Sequence, residues 1–408
     1  MHSHNDPVTS TSPEVSAAGA AARPGRYSDR ASKQHRGRLA RRHERKPVRP
    51  IHRATINDVA AAAGVSRASV SKVLRDAYGV SPEMRRRVSQ AIEELGYRPV
   101  VAARALRGAS FTIGFEQPGF TNQFFAKLLA GARDALHDTR YQLVIAPADT
   151  ELGDGRRAIR ALLDLSVDGL VAVSPLMPFD RIDDLARTTA MVVIGRHTHA
   201  DAYDTVHGDD EAGTRLVLDH LTGLGHRAIS HLTIPDQPED TPHRIRLRAY
   251  EQYMRSAGLE SHIDVVPTGP AEGQAAHAVE QLLVHKPWPS AIFAANDQLA
   301  IGASAVLGSQ GIGPDVISLA GYDDIDVAQH PSISLTTVDQ RGEEMGRTAV
   351  QMILERIAGR QEPRVHVTTP GLVTRASTAP PRDRGHRGGD QPSARSPRQQ
   401  GCRDAPQH

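Results

Sequence analysis

The chain lacks the residues and the runs on which several protein classes depend. Its 408 residues include one cysteine, Cys402, so no disulfide can form within the chain and a reducing compartment is expected. No apolar run approaches the roughly 20 residues of a membrane-spanning helix, and the start of the chain lacks the apolar core of a secretory signal. These absences predict a cytoplasmic protein that does not engage a membrane.

Motifs of common enzymes are missing as well. The sequence contains no Gly-x-Ser-x-Gly elbow, no phosphate-binding P-loop, no His-Glu-x-x-His and no zinc-type cysteine set. A solvated loop explains His197-Thr-His199 better than a metal site does. Asp323-Asp324 has no evident nucleophile or partner base, so hydroxyl acceptors explain it better than acid–base catalysis. We therefore expect no catalytic residue, no metal and no cofactor.

Charge is distributed very unevenly along the chain, although the formal net charge is only +2. Residues 1–53 carry 12 Lys and Arg against 4 Asp and Glu, residues 54–108 carry 9 against 5, and residues 380–408 carry 6 against 3. Residues 109–379 carry 22 against 35. Basic ends around an acidic body indicate a protein whose front binds a polyanion and whose body does not.

Both ends of the chain are predicted to be disordered. Residues 1–53 have almost no large aliphatic side chains and are rich in Arg, His, Ser, Pro and Ala. They form either a basic arm that adds non-specific DNA affinity or a dispensable extension. Residues 380–408 are a tail rich in Arg, Gly, Pro and Gln, to which we assign no role.

Residues 54–108 begin with two short helices joined by a glycine. Thr55 and Asp58 have the spacing of a reciprocal helix cap, Gly64 permits the positive φ that ends a helix, and Ser66 caps the next one. The second helix turns basic and small polar residues outward. This arrangement is a helix-turn-helix, whose second helix fits a DNA major groove.

A third helix and a short linker follow. Ser81-Pro82-Glu83 has the residue types of a helix start, and an apolar stripe follows at Met84, Val88, Ala91, Ile92 and Leu95. The segment from Tyr97 to Gly108 then offers about two helical turns, which are marginal alone in water. We expect this segment to need DNA or a partner to become helical.

Residues 109–379 alternate short aliphatic strands with helices in two series. The pattern predicts an α/β fold of parallel sheets with helices on both faces, arranged as two similar lobes. The predicted strands are 111–115, 142–146, 169–173, 191–194, 227–232, 291–295 and 317–320, and the predicted helices are 123–138, 155–165, 213–223, 244–256 and 298–310. Ligands of such folds bind at the carboxyl ends of strands, here in the cleft between the lobes.

A set of short motifs runs along most of the chain. The motifs of the front part are Thr55-Ile-Asn-Asp-Val-Ala, Gly64-Val-Ser, Val70-Ser-Lys-Val-Leu, Val80-Ser-Pro-Glu, Leu95-Gly-Tyr-Arg-Pro and Ala103-Arg-Ala-Leu106. Those of the body are Val206-His-Gly-Asp-Asp210, Leu224-Gly-His226, Arg246-Leu-Arg-Ala-Tyr250, Ala294-Ala-Asn-Asp297, Gly321-Tyr-Asp-Asp324 and Leu335-Thr-Thr-Val-Asp-Gln340. With these motifs the chain resembles the LacI/GalR family of bacterial transcriptional regulators through about Thr378.

The resemblance implies a helix-turn-helix headpiece with a hinge helix and a two-lobed core like a periplasmic binding protein. It also implies a homodimeric repressor on a pseudo-palindromic double-stranded DNA operator, controlled by a small polar effector. The tail shows no heptads, which favours a dimer over a tetramer. The expected division is therefore a basic extension (1–53), a DNA-binding domain and hinge (54–108), an effector-binding and dimerisation core (109–379) and a tail (380–408).

Candidate DNA contacts follow from the helix-turn-helix and the resemblance. They are Thr55, Ser66, Arg67, Ala68, Ser69, Ser71, Lys72, Arg75, Arg104 and Leu106. Arg67, Ala68 and Lys72 are expected to read bases, because they project from the recognition helix. In the family, a leucine that matches Leu106 wedges into the minor groove at the operator centre.

Candidate effector contacts lie where predicted strands end, or on the facing helix. They are Phe124, Phe125, Arg196, Arg246, Asn296, Asp297 and Asp323. Asp297 is either a ligand or the cap of the helix that follows it, and Arg196 is either a ligand or a surface arginine. Phe124 and Phe125 are adjacent on a helix, so one is expected to pack in the core and the other to face the cleft.

Two other functions compete with this interpretation. An exported sugar-binding protein is disfavoured by the helix-turn-helix and the missing signal, and a sugar-modifying enzyme by the missing catalytic set. The effector is expected to be a sugar or sugar derivative, with a nucleobase or a phosphorylated metabolite as alternatives. The run Thr241-Pro-His-Arg244 before Arg246 departs from the family pattern, which leaves the effector's identity open.

Overall fold

The computed structural model describes residues 54–74, 77–97, 109–148, 155–198, 200–235 and 237–382. These residues form two compact units, one ending at residue 97 and the other beginning at residue 109. Within the described ranges, no helix is both long enough and apolar enough to cross a membrane. The predicted extension (1–53), most of the hinge and the tail beyond residue 382 lie outside the described residues.

The first unit is a small helical domain. Its helices are α1 (Ile56–Ala63), α2 (Arg67–Leu74) and α3 (Pro82–Glu94). Each contributes a fully buried valine to one core, namely Val59, Val70 and Val88. The apolar stripes of three short helices thus share one core, as their spacing predicts.

The described part of the second unit contains two parallel sheets and one two-stranded antiparallel pair, and the larger parallel sheet organises the first lobe. Its strands are β1 (Thr112–Gln117), β2 (Gln142–Pro147), β3 (Gly169–Val173), β4 (Ala190–Ile194), β5 (Asp204–Gly208) and β11 (Val365–Thr368). They are all parallel and lie in the order β11-β5-β4-β3-β1-β2. The flanking helices are α4 (Phe124–Leu136), α5 (Gly155–Asp164), α6 (Phe179–Ala186) and α11 (Gly342–Ile357).

The smaller sheet organises the second lobe. Its parallel strands lie in the order β7-β6-β8-β9, with bounds β6 (Ile229–Thr233), β7 (Asp264–Pro267), β8 (Ala291–Ala294) and β9 (Ser318–Ala320). An antiparallel pair joins β10 (Thr337–Asp339) to β12 (Gly371–Val373). The helices of this lobe are α7 (Asp210–Gly223), α8 (Pro242–Ser256), α9 (Glu272–Val284) and α10 (Asp297–Ser309).

The described chain passes between the lobes three times. It crosses after β5, between β10 and α11, and between β11 and β12. The carboxyl ends of the parallel strands of both sheets therefore face the region between the lobes, where ligands of such folds bind.

The predicted strands and helices of the core are present within a few residues of their expected bounds. The predictions passed over several elements, namely α6, α9, α11, β5, β7 and β10 to β12. Helix α11 is the most consequential of these, because it returns from the second lobe to pack against α4, β3 and β4 of the first.

Glycines allow helices α4 and α11 to touch backbone to backbone. A Cβ on Gly131 of α4 would lie 1.9 Å from the carbonyl oxygen of Glu343, and a Cβ on Gly346 of α11 would lie 1.9 Å from that of Leu128. Real Cβ atoms do not approach backbone oxygens so closely. The two helices therefore depend on both residues being glycine.

We predict that Gly346→Ala lowers the free energy of unfolding by about 1–3 kcal/mol or more, because the methyl group forces the helices apart. Gly308→Ala is the matched control, since Gly308 lies on the exposed part of α10 with no atom within 4 Å of the added Cβ. That variant should gain roughly 0.5–1 kcal/mol from helix propensity. Urea unfolding of both variants measures the difference, and shifts of the same sign would contradict the prediction.

Candidate functional site

The helix-turn-helix is held by local caps. The carboxylate of Asp58 accepts hydrogen bonds from the backbone N of Thr55 at 2.7 Å and from its Oγ1 at 2.8 Å, and Thr55 Oγ1 accepts from the backbone N of Asp58 at 3.4 Å. Gly64, with φ of +61°, ends α1. Oγ of Ser66 then accepts from the backbone N of Ser69 at 3.1 Å and starts α2. The predicted reciprocal cap is present.

A contact that the sequence did not reveal stabilises the turn. Arg87 of α3 donates through Nη2 to the carbonyl oxygens of Ala63 and Gly64 at the end of α1. Carbonyls at a helix end have no partner within the helix, so an arginine from a neighbouring helix satisfies them. Arg87 therefore ties α3 to the end of α1 and to the turn that follows it.

Helix α2 presents part of the predicted DNA-reading set to solvent. Arg67, Ala68 and Lys72 are exposed, whereas Val70 and Val73 on the opposite face are buried. Thr55 and Ser66 are exposed as well, and Ser69 and Ser71 are half-buried. Three further candidates, Arg75, Arg104 and Leu106, lie outside the described residues.

In the core, Arg246 is the centre of a buried network of polar contacts. Its Nε donates to Oδ1 of Asp210 at 2.7 Å, and its Nη1 donates to the carbonyl oxygen of Ala295 at 2.6 Å. Its guanidinium carbon lies 3.6 Å from the ring centre of Tyr322. Burial alone would raise the pKa of Asp210, but the charges of Arg246 and His197 lower it to about 2. The pair is therefore ionised although it is removed from water.

Asp323 lies at the edge of this network and receives polar contacts from both lobes. Its Oδ1 accepts from the side-chain amide of Gln340 and lies 4.0 Å from Nη1 of Arg246. Its Oδ2 lies 3.5 Å from Nδ2 of Asn122 in the first lobe. Burial raises the pKa of Asp323 to about 7, although Arg246 and the two amides oppose that shift.

Asn296 and Asp297 both make hydrogen bonds within the second lobe. Oδ1 of Asn296 accepts from the backbone N of Leu299 at 2.9 Å, which makes Asn296 the cap of α10. Asp297 accepts from Oγ1 of Thr337 and from the backbone N of Ile325 at 2.9 Å. Of the two roles predicted for Asp297, the structure favours a structural one, but it ties down the loop after β9 rather than capping α10.

The two adjacent phenylalanines are placed differently. Phe124 is buried in the core of the first lobe, and its ring lies so close to Gly342 that a Cβ there would come within 2.9 Å of it. Phe125 is half-buried at the edge of the same core. Phe124 is thus the packing member of the pair, and Phe125 remains the candidate for the effector face.

Arg196 is a buried ion-pair residue rather than a surface arginine. It follows β4 in the first lobe, donates through Nε to the carboxylate of Asp240 in the second lobe, and donates through Nη1 to the carbonyl oxygen of Pro175 at 3.1 Å. The next residue, His197, makes a parallel contact, because its Nε2 lies 2.7 Å from Oδ2 of Asp210. Both pairs span the two lobes.

Four residues of this site were not predicted, namely Asn122, Lys127, Asp210 and Gln340. Lys127 of α4 donates to the backbone oxygen of Asp324 and lies 3.9 Å from its carboxylate. Asp210 and Gln340 end two of the segments that carry the family resemblance, yet neither position suggested a role. A motif marks such residues as notable, but only the fold brings them to Arg246 and Asp323.

Both parts of the chain match known proteins. Residues 55–100 match the profile of bacterial regulatory proteins, lacI family, and residues 218–378 match that of the periplasmic binding protein-like domain. The HTH-type transcriptional repressor PurR of Photobacterium profundum is 32% identical over 330 residues, covering 79% of this chain and 98% of the relative. The ribose operon repressor of Escherichia coli is 31% identical over 331 residues, covering 79% and 99%.

Solved structures agree as well. The lac repressor dimer bound to operator and the anti-inducer ONPF is 25% identical, with a TM-score of 0.65, and the match covers 80% of this chain and 100% of that one. A LacI family transcriptional regulator from Enterococcus faecium with bound ribose is 26% identical, with a TM-score of 0.60 and coverage of 66% and 99%.

The raised pKa of Asp323 predicts a specific pH dependence of stability. The folded protein keeps a proton on Asp323 up to about pH 7, whereas the unfolded chain releases it near pH 4. The stability that this proton contributes is therefore complete at low pH and is lost as the pH rises through 7. Between pH 5 and 8, wild type should lose on the order of 2–3 kcal/mol relative to Asp323→Asn. Urea unfolding of both proteins across this range measures the effect, and parallel curves would contradict it.

Proposed function

The chain belongs to the LacI family of bacterial regulatory proteins and is a DNA-binding transcriptional regulator, and we propose that a neutral, hydroxyl-rich small molecule controls its affinity for an operator. The observation that carries this proposal is that Arg246 and the basic side chains near it are already paired with carboxylates of the protein. We propose that the effector binds between the lobes, beside Arg246 and Asp323, and that Phe125 lies along one of its faces.

Among the residues that the structure describes, four basic side chains around the cleft each have a carboxylate partner within the protein. Arg246 pairs with Asp210, Arg196 pairs with Asp240, and Lys127 and Arg375 share Asp324. An anionic effector is held best by charge-assisted hydrogen bonds from cations that are not already neutralised. A sugar needs donors and acceptors without net charge, so this balance favours a sugar over a phosphorylated metabolite. The ribose operon repressor and the ribose-bound structure support the same class.

Lobe closure supplies the proposed link from effector to DNA. Four contacts span the lobes close to Arg246: Arg196 with Asp240, His197 with Asp210, Asn122 with Asp323, and Lys127 with Asp324. A ligand that contacts both lobes changes the free energy of these contacts, and such a difference between states is what regulation requires. We propose that this change reaches the DNA through the hinge, with Leu106 as the residue that wedges into the minor groove.

On the DNA side we propose a homodimer that places two headpieces on a pseudo-palindromic operator, as the operator-bound lac repressor dimer suggests. Arg67, Ala68 and Lys72 read bases, Arg75 is a further DNA contact, and Arg104 of the hinge segment contacts phosphate. We retain the domain division proposed from the sequence, with boundaries at 53/54, 108/109 and 379/380. The protein is proposed to act in the cytoplasm, without catalysis or cofactor, and an exported binding protein or a sugar-modifying enzyme is disfavoured.

The DNA assignment predicts that Arg67 helps set the operator sequence. A guanidinium pairs best with guanine O6 and N7, at roughly 1–3 kcal/mol per good contact. Selection of sites from a random DNA pool should therefore give Arg67→Ala a relaxed preference at one position in each half-site. Arg86→Ala is the control, since Arg86 is an exposed residue on α3. Weaker binding with an unchanged preferred sequence would make Arg67 a phosphate contact instead.

The effector assignment predicts that Asp323→Asn abolishes the response to effector and leaves operator binding in its absence unchanged. The substitution keeps the shape of the side chain but converts one carboxylate oxygen into a donor. Asp315→Asn is the matched control. Asp315 is also ion-paired, to Arg382, but it precedes β9, whereas Asp323 follows the same strand. Operator-binding titrations with a panel of sugars measure the response. A wild-type response in Asp323→Asn would place the effector elsewhere.

A further inference from the structure

A polar atom beside Arg246 has no partner among the described residues. His243 lies in the first turn of α8, three residues before Arg246, so the two side chains share a face of the helix. Its Nδ1 is buried and makes no hydrogen bond. Buried polar atoms in native proteins are nearly always satisfied, so such an atom next to a binding site indicates a missing partner.

A second histidine, on the strand β6 against which α8 packs, has the same property. His231 of β6 is fully buried, and its Nδ1 lies 3.0 Å from the carbonyl oxygen of Phe293. A carbonyl only accepts, so Nδ1 carries the proton and Nε2 is left as an acceptor. Nε2 makes no hydrogen bond among the described residues. Each of the two imidazoles therefore has one ring nitrogen without a hydrogen-bond partner among the described residues.

Both imidazoles are neutral near pH 7. Burial, reinforced by the nearby charge of Arg246, lowers the pKa of His243 to about 3, and burial also lowers the pKa of His231 to about 3. A neutral imidazole offers one N–H donor and one acceptor nitrogen. It suits a hydroxyl group, which both donates and accepts, better than it suits a carboxylate or a phosphate.

We propose that His243 is a specificity-determining residue of the effector site and that its Nδ1 forms a hydrogen bond with one hydroxyl group of a neutral sugar held beside Arg246. This inference rests on the proposed function, which it deepens by naming a contact that selects among sugars. His231 lies in β6, the strand that packs against α8. The run Thr241-Pro-His-Arg244 thereby acquires a role, because Pro242 starts the helix and His243 is its first side chain beside the ligand.

The contact has a measurable consequence for selectivity. A site built to hydrogen-bond a hydroxyl rejects the analogue that lacks it, because the protein atom is then left buried and unpaired. Removing that hydroxyl from the sugar should therefore weaken binding to wild type strongly. The same removal should cost little in a protein that has already lost His243.

The experiment uses the full chain and calorimetric titration with D-ribose, D-xylose, D-glucose and cellobiose. The tightest of these is then replaced in turn by its monodeoxy analogues. The variants are His243→Ala, His243→Asn, which restores a polar atom near the position of Nδ1, and Arg244→Ala as the matched control. Arg244 occupies the same helical turn but pairs with Glu239 on the surface. Operator binding by each variant establishes that it is folded.

The proposal expects His243→Ala to bind the sugar at least about tenfold more weakly and to become indifferent to one deoxy position that wild type rejects. His243→Asn should recover part of the affinity, and Arg244→Ala should match wild type. If wild type binds a sugar and His243→Ala keeps both its affinity and its deoxy pattern, the inference is wrong and the proposed function stands.

Two other outcomes also overturn the inference. A uniform loss of affinity that leaves the deoxy pattern unchanged, or loss of operator binding in both His243 variants, would make His243 a structural residue. If no sugar of the panel binds wild type, the neutral-sugar effector is wrong, and the role of His243 fails with it.

Discussion

The ion pair between Arg246 and Asp210 is the interaction on which the effector side of this molecule depends. Both side chains are almost fully buried, so removing one would leave the other as an uncompensated charge at a cost of about 3–5 kcal/mol. The guanidinium joins the start of α7, the carbonyl after β8 and the ring of Tyr322 after β9. The second oxygen of Asp210 extends the network to His197 of the other lobe. One buried charge thus fixes several strand ends at once.

Backbone strain accompanies this network. Asp323 and Asp324 follow β9 with φ angles of +119° and +49°, backbone conformations that residues other than glycine rarely adopt. Contacts with the β10 strand hold them there, since the backbone N of Asp323 donates to the carbonyl oxygen of Val338 at 2.8 Å. Strain of this kind persists only where the surrounding structure over-determines it, and it concentrates at binding sites.

The sequence predicted helices and strands well, but it predicted poorly which side chains contact each other. Periodicity and caps located the three headpiece helices and the alternation of the core, because these are properties of neighbouring residues. The roles within the Asn296-Asp297 and Asp323-Asp324 pairs required tertiary structure. Asp297 serves Thr337 and Ile325, while Asp323 faces Gln340 and Asn122. Asn122 and Asp323 are 201 positions apart, a distance at which no local pattern carries information. Helix α11 was missed for a related reason, since the close contact that Gly131 of α4 and its own Gly346 allow is a tertiary feature.

Because the chain passes between the lobes three times, the lobes cannot separate freely when the cleft opens. Lobes joined by one linker could drift apart, but three short connections keep their facing surfaces together, as if each were present at a high local concentration of the other. Pairs such as Lys127 with Asp324 would hold two separate proteins together only weakly. Here they re-form after every opening without a search in solution. The two lobes therefore stay connected when the cleft opens. Small differences in the free energy of the contacts between them suffice to set how long the cleft stays closed.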